Sequence, residues 1–540
     1  MSREDVEHFT LRAPAQAGDK YFYIVDDHKP VSDPVSRFLP DGVHGPTEIV
    51  DPESFAWRDA NWGGLPLRDY VLYELHIGTF TPQGTLDSAI GKLAYLKQLG
   101  VTVVELMPVA AFPGTRNWGY DGVSLYAVQA SYGGPEALRR FVDAAHALGL
   151  GVVLDVVYNH LGNEGNYLRW FGPYFTDRHK TPWGDAINYD QECCQGVRDF
   201  VVENVLYWVR EYHLDGLRLD AVQTILDDSP QHILAEITEN VDALARELGR
   251  QVCVIAETDQ NDARIVRPRA QGGYGCDALW SDDFHHAVHA FFSGERQGYY
   301  QDFGEAEQIV RALNQGFVYQ GEVSQFWGHA RGTPAKDLAA PAHVICLQNH
   351  DQVGNRPRGE RWTELMPRGA RMAAAALLLL APQTPLLFMG EEFDETRPFL
   401  FFTDYGDPAL KKAVREGRRY EFKAFGSHDS AAPDPQDPAT FERSKLDWQL
   451  ASDESKMLFW YRALFALREG YVVAGERTCK AELTDGVIHM QVPAGAPRVR
   501  VVARIFGTAA LPQPVTGWEK TLEAEENGFA VAIWLAADSR

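Results

Sequence analysis

Short, almost uninterrupted runs of Val, Ile and Leu recur along the middle of the chain, separated by segments whose apolar residues return every three or four positions. Runs that are apolar at every position predict strands buried on both faces, as in a parallel sheet. The three- and four-residue spacing between them predicts amphipathic helices. The predicted strands lie at 71–77, 101–107, 151–157, 216–220, 252–257, 277–280, 343–348 and 385–390.

Eight strand-and-helix units over roughly 320 residues are the count and length of a (β/α)₈ TIM barrel with insertions, an α/β fold. Two predicted helices end at a glycine just before the next strand, Gly100 and Gly149, as helices commonly do. An open doubly wound sheet has the same periodicity and stays the alternative. No G-x-G-x-x-G opens the first helix and no G-x-x-x-x-G-K-S/T occurs, so the usual nucleotide signatures of that alternative are missing.

The pattern changes on either side of the predicted barrel. The N-terminal part combines one short strand pattern with several X-Pro turns, and the C-terminal part returns to alternating runs typical of antiparallel strands. The expected organisation is a partial N-terminal β-sandwich (1–64), the barrel (65–468) with a loop excursion near 158–195 and an insertion near 282–342, and a C-terminal antiparallel β domain (469–540).

Composition narrows the classes of partner and compartment. The 540 residues include 51 Lys and Arg against 75 Asp and Glu, a net charge of −24. Such an acidic surface is repelled by phosphate backbones and anionic lipids, so neither nucleic acid nor a membrane is expected as a partner. There is no signal-peptide core, the longest apolar run (372–381) is too short to span a bilayer, and the sparse cysteines fit a reducing compartment. A cytoplasmic protein is expected.

Ionisable residues gather where the predicted strands end, which is where (β/α)₈ barrels carry their chemistry. They are Asp155 and His160 after the third strand, Arg218 and Asp220 on the fourth, Glu257 after the fifth, and His350 and Asp351 after the seventh. A single acidic residue in such a place is often a helix cap or a surface ion pair, and Asp155 also fits a purely structural role. Repetition on separate strands favours an active site.

Three carboxylates without a metal motif indicate glycoside hydrolysis or transfer. A retaining enzyme needs a carboxylate nucleophile and a carboxylic acid roughly 5–5.5 Å apart. Arg218 and Asp220 are two residues apart on one strand and share a face, and the cation favours an ionised nucleophile. Glu257 follows an apolar strand, where burial raises a carboxyl pKa and suits an acid/base. Asp351 is then expected to hold substrate hydroxyls.

Four segments resemble, in order, the four characteristic regions of the α-amylase superfamily of glycoside hydrolases. They are DVVYNH (155–160), GLRLDAV (216–222), the strand ending at Glu257, and QNHD (348–351). The resemblance covers about residues 70–390, and the four segments together are highly specific.

The resemblance implies residue roles as well as the fold. Asp220 is implied as nucleophile, Glu257 as general acid/base and Asp351 as transition-state stabiliser. The sugar at the cleavage site is implied to contact Arg218, His160 and His350, with Tyr120 of NWGYDG as the aromatic platform beneath it.

Further segments are similar to the trehalohydrolase branch of the superfamily, namely 256–264, 279–290, 347–356, 398–407 and 414–422. Enzymes of that branch hydrolyse the α-1,4 bond next to the terminal trehalose of maltooligosyl trehalose and release trehalose. The resemblance implies this activity, maltooligosyl trehalose or a related α-glucan as substrate, and a functional pairing with maltooligosyltrehalose synthase. It departs at Gln223, where the pattern implies His.

Two groups of residues have two interpretations each. Directly after the sixth strand come Trp280, Asp282, Asp283, His285 and His286. They form either a leaving-side subsite for the trehalose unit or a helix start with one Asp as cap and His286 packed. Asn355 and Arg356 follow Asp351 and either reach the ligand or belong to a solvated loop.

No metal or other cofactor is expected, because the chain has neither EF-hand nor zinc spacing, although some members of the superfamily bind calcium near the residue matching Asn159. A glucan branching or debranching enzyme of the same superfamily is one alternative function. From another class, a non-catalytic carbohydrate-binding barrel is a second alternative, but it predicts loss of a catalytic carboxylate, and all three are present.

Overall fold

Eight parallel strands close into a barrel in chain order at the centre of the computed structural model, which describes residues 2–3, 9–424, 432–473, 477–512 and 516–537. The strands are β1 (Leu72–Leu75), β2 (Val103–Leu106), β3 (Gly151–Val156), β4 (Gly216–Leu219), β5 (Cys253–Ala256), β6 (Ala278–Trp280), β7 (His343–Cys346) and β8 (Thr384–Phe388). β8 pairs with β1 through Leu386 and Leu72, which closes the ring. The predicted TIM barrel is confirmed, and the open doubly wound sheet is excluded.

Helices connect and surround the strands. The longer ones are α1 (Leu86–Leu99), α2 (Gly134–Ala147), α3 (Gln195–Glu211), α4 (Ile233–Leu248), α5 (Asp283–Ser293), α6 (Ala306–Gln315), α7 (Arg368–Leu380), α8 (Pro408–Ala424) and α9 (Lys456–Leu467). Shorter helices lie at Ile77–Phe80, His350–Gly354, Trp362–Leu365 and Pro438–Arg443. Thr85 and Ser88 form a reciprocal cap at the start of α1, and Gly100 ends it with a φ of 113°, a conformation that favours glycine.

Two hydrophobic layers explain the apolar runs in the sequence. The barrel interior is filled by residues such as Leu72, Val103, Ile255 and Trp280. The other face of the strands packs against the surrounding helices, of which α7 is buried along most of its length. Because both faces are covered, every position of the eight strands is buried.

Both long segments between barrel strands leave from the carboxyl ends of the strands. The excursion after β3 contains an antiparallel hairpin, Phe175–Thr181 with Gly184–Ile187. The insertion after β6 carries α5, α6 and a bridge between Val323 and Ala330. They therefore rise over the end of the barrel where the candidate site residues lie.

The parts outside the barrel are β structure. The N-terminal region has short pairings, Ser2–Arg3 with Phe9–Thr10 and Lys20–Tyr21 with Thr47–Glu48, and Ala110–Ala111 pairs with Ser124–Val128 over the barrel end. The C-terminal sheet has the order β9-β10-β11-β13-β12 and is antiparallel, as predicted. Its strands are β9 (Lys480–Thr484), β10 (Val487–Val492), β11 (Val499–Arg504), β12 (Trp518–Glu526) and β13 (Phe529–Ala536).

A polar network ties the segment before β1 to the amino-terminal end of the barrel. Asp215, fully buried before β4, accepts hydrogen bonds from Trp62 Nε1 at 2.6 Å and from the Val152 amide at 2.8 Å. His146 bridges Asp215 and Asp59 through its two ring nitrogens at 2.9 and 2.8 Å. Burial lowers the pKa of His146, but hydrogen bonds to the two carboxylates outweigh burial and raise the pKa.

Among the described residues, none of the helices has both the length and the apolar character needed to cross a lipid bilayer.

Candidate active site

Arg218 on β4 is fully buried and joins carboxyl groups from three neighbouring strands. Its Nη1 donates to both oxygens of Asp155 at 2.9 Å and to Asp220 Oδ1 at 2.8 Å. Its Nη2 lies 3.6 Å from Glu257 Oε2. β4 runs between β3 and β5, so the strand order itself brings these three side chains to one guanidinium.

Asp220 is held from both sides. Its Oδ1 faces Arg218, and its Oδ2 accepts a hydrogen bond of 2.7 Å from Asn159 Nδ2, which also donates to the Asp220 carbonyl. These hydrogen bonds fix the position of both carboxylate oxygens. The next residue, Ala221, has a left-handed φ of 40°, a conformation that costs a non-glycine residue about 1–3 kcal/mol and is often found at functional sites.

Glu257 is set up as an acid. Burial raises its pKa well above the ordinary value, Arg218 opposes this, and the charges of Asp220 and Asp351 raise it further. Its Oε2 accepts the Ala221 amide at 2.5 Å. A carboxyl group with a raised pKa beside a second carboxyl group in a different environment is the arrangement that separates a proton donor from a nucleophile.

Asp351 and His350 begin the short helix after β7. Asp351 is the more open of the two, with 42% of its side chain exposed. The His350 Nε2 lies 3.5 Å from Asp351 Oδ2, while the other side of His350 contacts Glu74. Burial lowers the pKa of His350, but Asp351 and Glu74 outweigh this and raise it to about 9.

Two aromatic stacks line the opening. Tyr120 lies against His350 with ring centroids 5.1 Å apart and donates its hydroxyl to Asp155 Oδ2 at 2.6 Å. His160 reaches the Tyr120 carbonyl with Nε2 at 3.0 Å and stacks on Trp183 at 4.1 Å. The Trp183 ring is 48% exposed. Together these residues form a surface of rings beside the carboxylates.

Comparison with known proteins shows the family of the chain. Residues 49–185 match the family model of the alpha amylase catalytic domain. A malto-oligosyltrehalose trehalohydrolase of Saccharolobus solfataricus is 49% identical over 483 residues, covering 89% of this chain and 83% of that protein. The chain belongs to the malto-oligosyltrehalose trehalohydrolase family.

Two further proteins are similar to this chain. A trehalohydrolase of the same name from Rhizobium sp. (strain M-11) is 50% identical over 461 residues, covering 84% of this chain and 77% of that protein. A crystal structure from Salmonella typhimurium, described as an alpha amylase, superposes with a TM-score of 0.88 at 42% identity and covers 97% of this chain and 91% of that one.

The residues after β6 divide between the site and the packing behind it. Trp280 fills the barrel beneath Arg218, with the guanidinium 4.3 Å from the ring centre, and its Nε1 has no partner within the described part of the chain. Asp282 is half-buried and lies in the field of Asp351, and burial raises its pKa to about 7. Asp282 makes no capping hydrogen bond to α5, so the capping interpretation does not hold for it.

Asp283 and His285 are packing residues instead. Asp283 Oδ2 accepts the amides of Val318 and Tyr319 at 2.7 and 2.9 Å, and its Oδ1 pairs with Arg331 at 2.7 Å. The two ring nitrogens of His285 meet the Leu347 carbonyl and the Tyr300 hydroxyl. The polar side-chain atoms of both residues are therefore already engaged, and the subsite interpretation does not hold for Asp283 and His285.

His286, Asn355 and Arg356 also divide between the site and the packing behind it. His286 is buried against Tyr299, ring centroids 4.6 Å apart. Asn355 donates to Asp351 Oδ1 at 3.0 Å and so touches the site. Arg356 forms a two-bond ion pair with Glu295 at 2.7 and 2.8 Å and is 16% exposed. It belongs neither to a solvated loop nor to the open side of the site.

The predicted residues thus fall into two sets. Contacts and electrostatic interactions join one set, which is Tyr120, His160, Arg218, Asp220, Glu257, Trp280, Asp282, His350, Asp351 and Asn355. The other set contacts residues outside that group: Asp283, His285, His286 and Arg356.

Sequence reasoning missed Glu74, Trp183 and the part played by Asn159. For Glu74 a signal was available, because it is the one carboxylate in the run 71–77, whose other residues except His76 are apolar, and a buried charge needs a partner. For Trp183 the only signal was an aromatic residue in a loop.

Among the described residues, one group has the spacing to hold a metal ion: His179, Asp190 and Asp228. Arg178 already pairs with Asp228 at 2.8 Å and lies 3.7 Å from Asp190. This guanidinium supplies the positive charge that a cation would bring to the group.

Proposed function

We propose that this chain is a retaining glycoside hydrolase that cleaves the α-1,4-glucosidic bond next to the terminal trehalose of maltooligosyl trehalose and releases trehalose. The observation that carries the proposal is that a relative named for this reaction is 49% identical over most of the chain. The contacts of Arg218 with Asp220 and Glu257 support the chemistry.

Hydrolysis takes two displacements at one carbon. Asp220 attacks the anomeric carbon while Glu257 gives its proton to the glycosidic oxygen, so that the trehalose leaves with the bonding electrons and that proton. A glycosyl ester with Asp220 remains. Glu257, now ionised, takes a proton from water, and the water oxygen displaces Asp220 from the anomeric carbon. Two inversions give retention.

The surrounding residues stabilise the charges that appear. Arg218 offers hydrogen bonds to Asp220 and stays charged, because the carboxylates around it raise its pKa although burial lowers it. Asp351 and the His350 imidazolium face the sugar hydroxyls. Tyr120 and His160 provide the ring surface against which the sugar lies, and Trp280 and Asp282 are assigned to the trehalose side.

The substrate defines the partner reaction. Maltooligosyl trehalose arises when the reducing end of a maltooligosaccharide is converted into a trehalose unit, so we pair this chain functionally with a maltooligosyltrehalose synthase. We also place it in the cytoplasm, a proposal supported by the acidic composition and by six free cysteines.

Product analysis on two substrates tests the proposal. Maltotriosyl-trehalose is expected to give trehalose and maltotriose, while maltopentaose is cleaved slowly if at all. Glu257→Gln serves as the matched inactive control. Proton NMR of the first-formed maltotriose is expected to show the α-anomer.

Comparable cleavage of both substrates, or any change at an α-1,6 linkage, would overturn the trehalose assignment and favour a branching or debranching enzyme. A β-anomeric first product would overturn the retaining mechanism.

A further inference from the structure

Glu74 is a carboxylate inside the apolar layer of the barrel with a contact that no assigned role explains. It lies on β1 and is 1% exposed. Burying a charge there is costly unless it is paired and hydrogen-bonded. Its hydrogen-bond partner is His350.

Both Glu74 oxygens bind one residue, His350. Oε1 lies 2.5 Å from His350 Nδ1, and Oε2 accepts the His350 backbone amide at 2.9 Å. The contact therefore fixes the ring and the main chain of the residue directly before Asp351. It crosses the barrel end from β1 to the helix after β7, although β1 pairs only with β2 and β8.

The rest of the His350 surroundings leaves the ring one orientation. Tyr120 stacks on one face, and the Trp118 ring meets it edge-on with centroids 5.7 Å apart. With Nδ1 bound to Glu74, Nε2 is the nitrogen directed toward Asp351 at 3.5 Å.

The charges that face the ring come from several elements. Glu74 on β1 and Asp351 favour the imidazolium form, while Arg218 on β4 opposes it. Glu105 on β2 and Asp155 on β3 also interact electrostatically with the ring, and burial raises the pKa of each carboxyl group. His76 is buried and its pKa is lowered to about 4, so it is uncharged near neutral pH.

We propose that Glu74 is a positioning residue for the hydrolysis: it holds His350 as an imidazolium whose Nε2 faces Asp351 and the sugar, and so orients Asp351 for the substrate hydroxyls. The inference rests on the proposed function for its catalytic consequence, but the protonation of His350 can be measured without any substrate.

Glu74→Gln removes the charge with little change in shape. The glutamine amide has one oxygen, and the backbone N–H of His350 can only donate, so that oxygen is expected to accept it. The NH₂ group then faces Nδ1 and donates to it. This favours the neutral ring with its proton on Nε2. The matched control is Glu105→Gln. Glu105 is the register partner of Glu74 on β2, equally buried, and both its oxygens lack a partner among the described residues.

Two measurements test the proposal. NMR of histidine-labelled protein, with the signal assigned by its loss in His350→Gln, is expected to show His350 protonated up to about pH 9 in the parent and in Glu105→Gln, but neutral near pH 7 in Glu74→Gln. With maltotriosyl-trehalose, Glu74→Gln is expected to lower kcat about 10- to 100-fold, by analogy with residues that orient metal ligands, and to move the alkaline limb to lower pH.

A purely structural role gives another result. Glu74→Gln would then lower the melting temperature, while the folded fraction keeps the parent His350 titration and pH profile; this would overturn the proposal. Should Glu74→Gln not fold, Glu74→Asp keeps the charge and is expected to keep the raised His350 pKa even at a lower melting temperature. Absence of trehalose release in the parent would refute the proposed function and leave the NMR result to decide the positioning role.

Discussion

Replacing Arg218 by glutamine removes a cation that touches Asp155, Asp220 and Glu257. The bond from Arg218 to Asp220 is 2.8 Å long, and a hydrogen bond to a charged group contributes about 1.5–3 kcal/mol. At about 1.36 kcal/mol per factor of ten, its loss predicts a 10- to 150-fold fall in kcat/KM at the pH optimum. Breaking a buried ion pair is expected to cost about 3–5 kcal/mol of folding free energy as well.

The direction of the pH effect follows from the same contacts. Arg218 lowers the pKa of Asp155, which burial raises to about 7, and it also lowers that of Glu257. Without Arg218 the pKa of Glu257 is expected to rise further. Because Glu257 must be protonated to act as the acid, the alkaline limb of kcat/KM is expected to move to higher pH.

The assay is kcat/KM for maltotriosyl-trehalose across pH, together with urea unfolding. Arg218→Lys is the control: it keeps the charge, but a single ammonium cannot match the planar guanidinium geometry. We expect intermediate activity and an alkaline limb near that of the parent. A folded Arg218→Gln with a parental alkaline limb and kcat/KM within threefold of the parent would refute the reasoning.

Four further predictions follow from the site and its surroundings. Asp220→Asn and Glu257→Gln are each expected to keep the fold and lose at least about 10³ in turnover; near-normal rates in either would mean the carboxylates are misassigned. Asp282 raises the pKa of Glu257, so Asp282→Asn should move the alkaline limb of kcat/KM to lower pH, and an unmoved limb would contradict that link. The folded-state pKa of His146 is raised, so its contribution to stability is full below the unfolded value of about 6.5 and is lost as pH rises through the folded value. His146→Gln should abolish that dependence in urea titrations, and a parental slope would count against it. Dialysis against EDTA should leave turnover unchanged, whereas loss restored by calcium would show a required metal.

The barrel was predictable because its signal is dense and local. Strands covered on both faces must be apolar at nearly every position, so all eight runs were visible, and β10, β11 and β13 showed a similar pattern. The two edge strands of the C-terminal sheet, β9 and β12, were not predicted. β9 alternates, but with only two apolar residues, Ala481 and Leu483, and most positions of β12 are exposed. The apolar signal of both strands in the sequence is therefore weak.

The site was predictable where chemistry follows a strand directly. Arg218, Asp220 and Glu257 lie on or just after apolar strands, and the register of β3, β4 and β5 brings them together. Whether Arg356 and Asp283 belong to the site depends on residues that are far away in the sequence. Arg356 pairs with Glu295, 61 positions away, and Asp283 with Arg331, 48 positions away. Helix periodicity and strand spacing carry no information about such pairs.

The contact between Glu74 and His350 spans 276 residues and has a consequence for the order of synthesis. At about 5–20 residues per second, a ribosome needs about 14–55 s to make the intervening chain. Asp220 and Glu257 emerge well before His350. Until β8 is synthesised, β1 lacks one of its two neighbours and the barrel cannot close. Loop-closure entropy rises only slowly with length, so the 276-residue separation delays the contact during synthesis but adds little to its free-energy cost. Appearance of trehalose-releasing activity in a translation reaction should therefore lag behind the carboxylates and coincide with the release of β7 and β8.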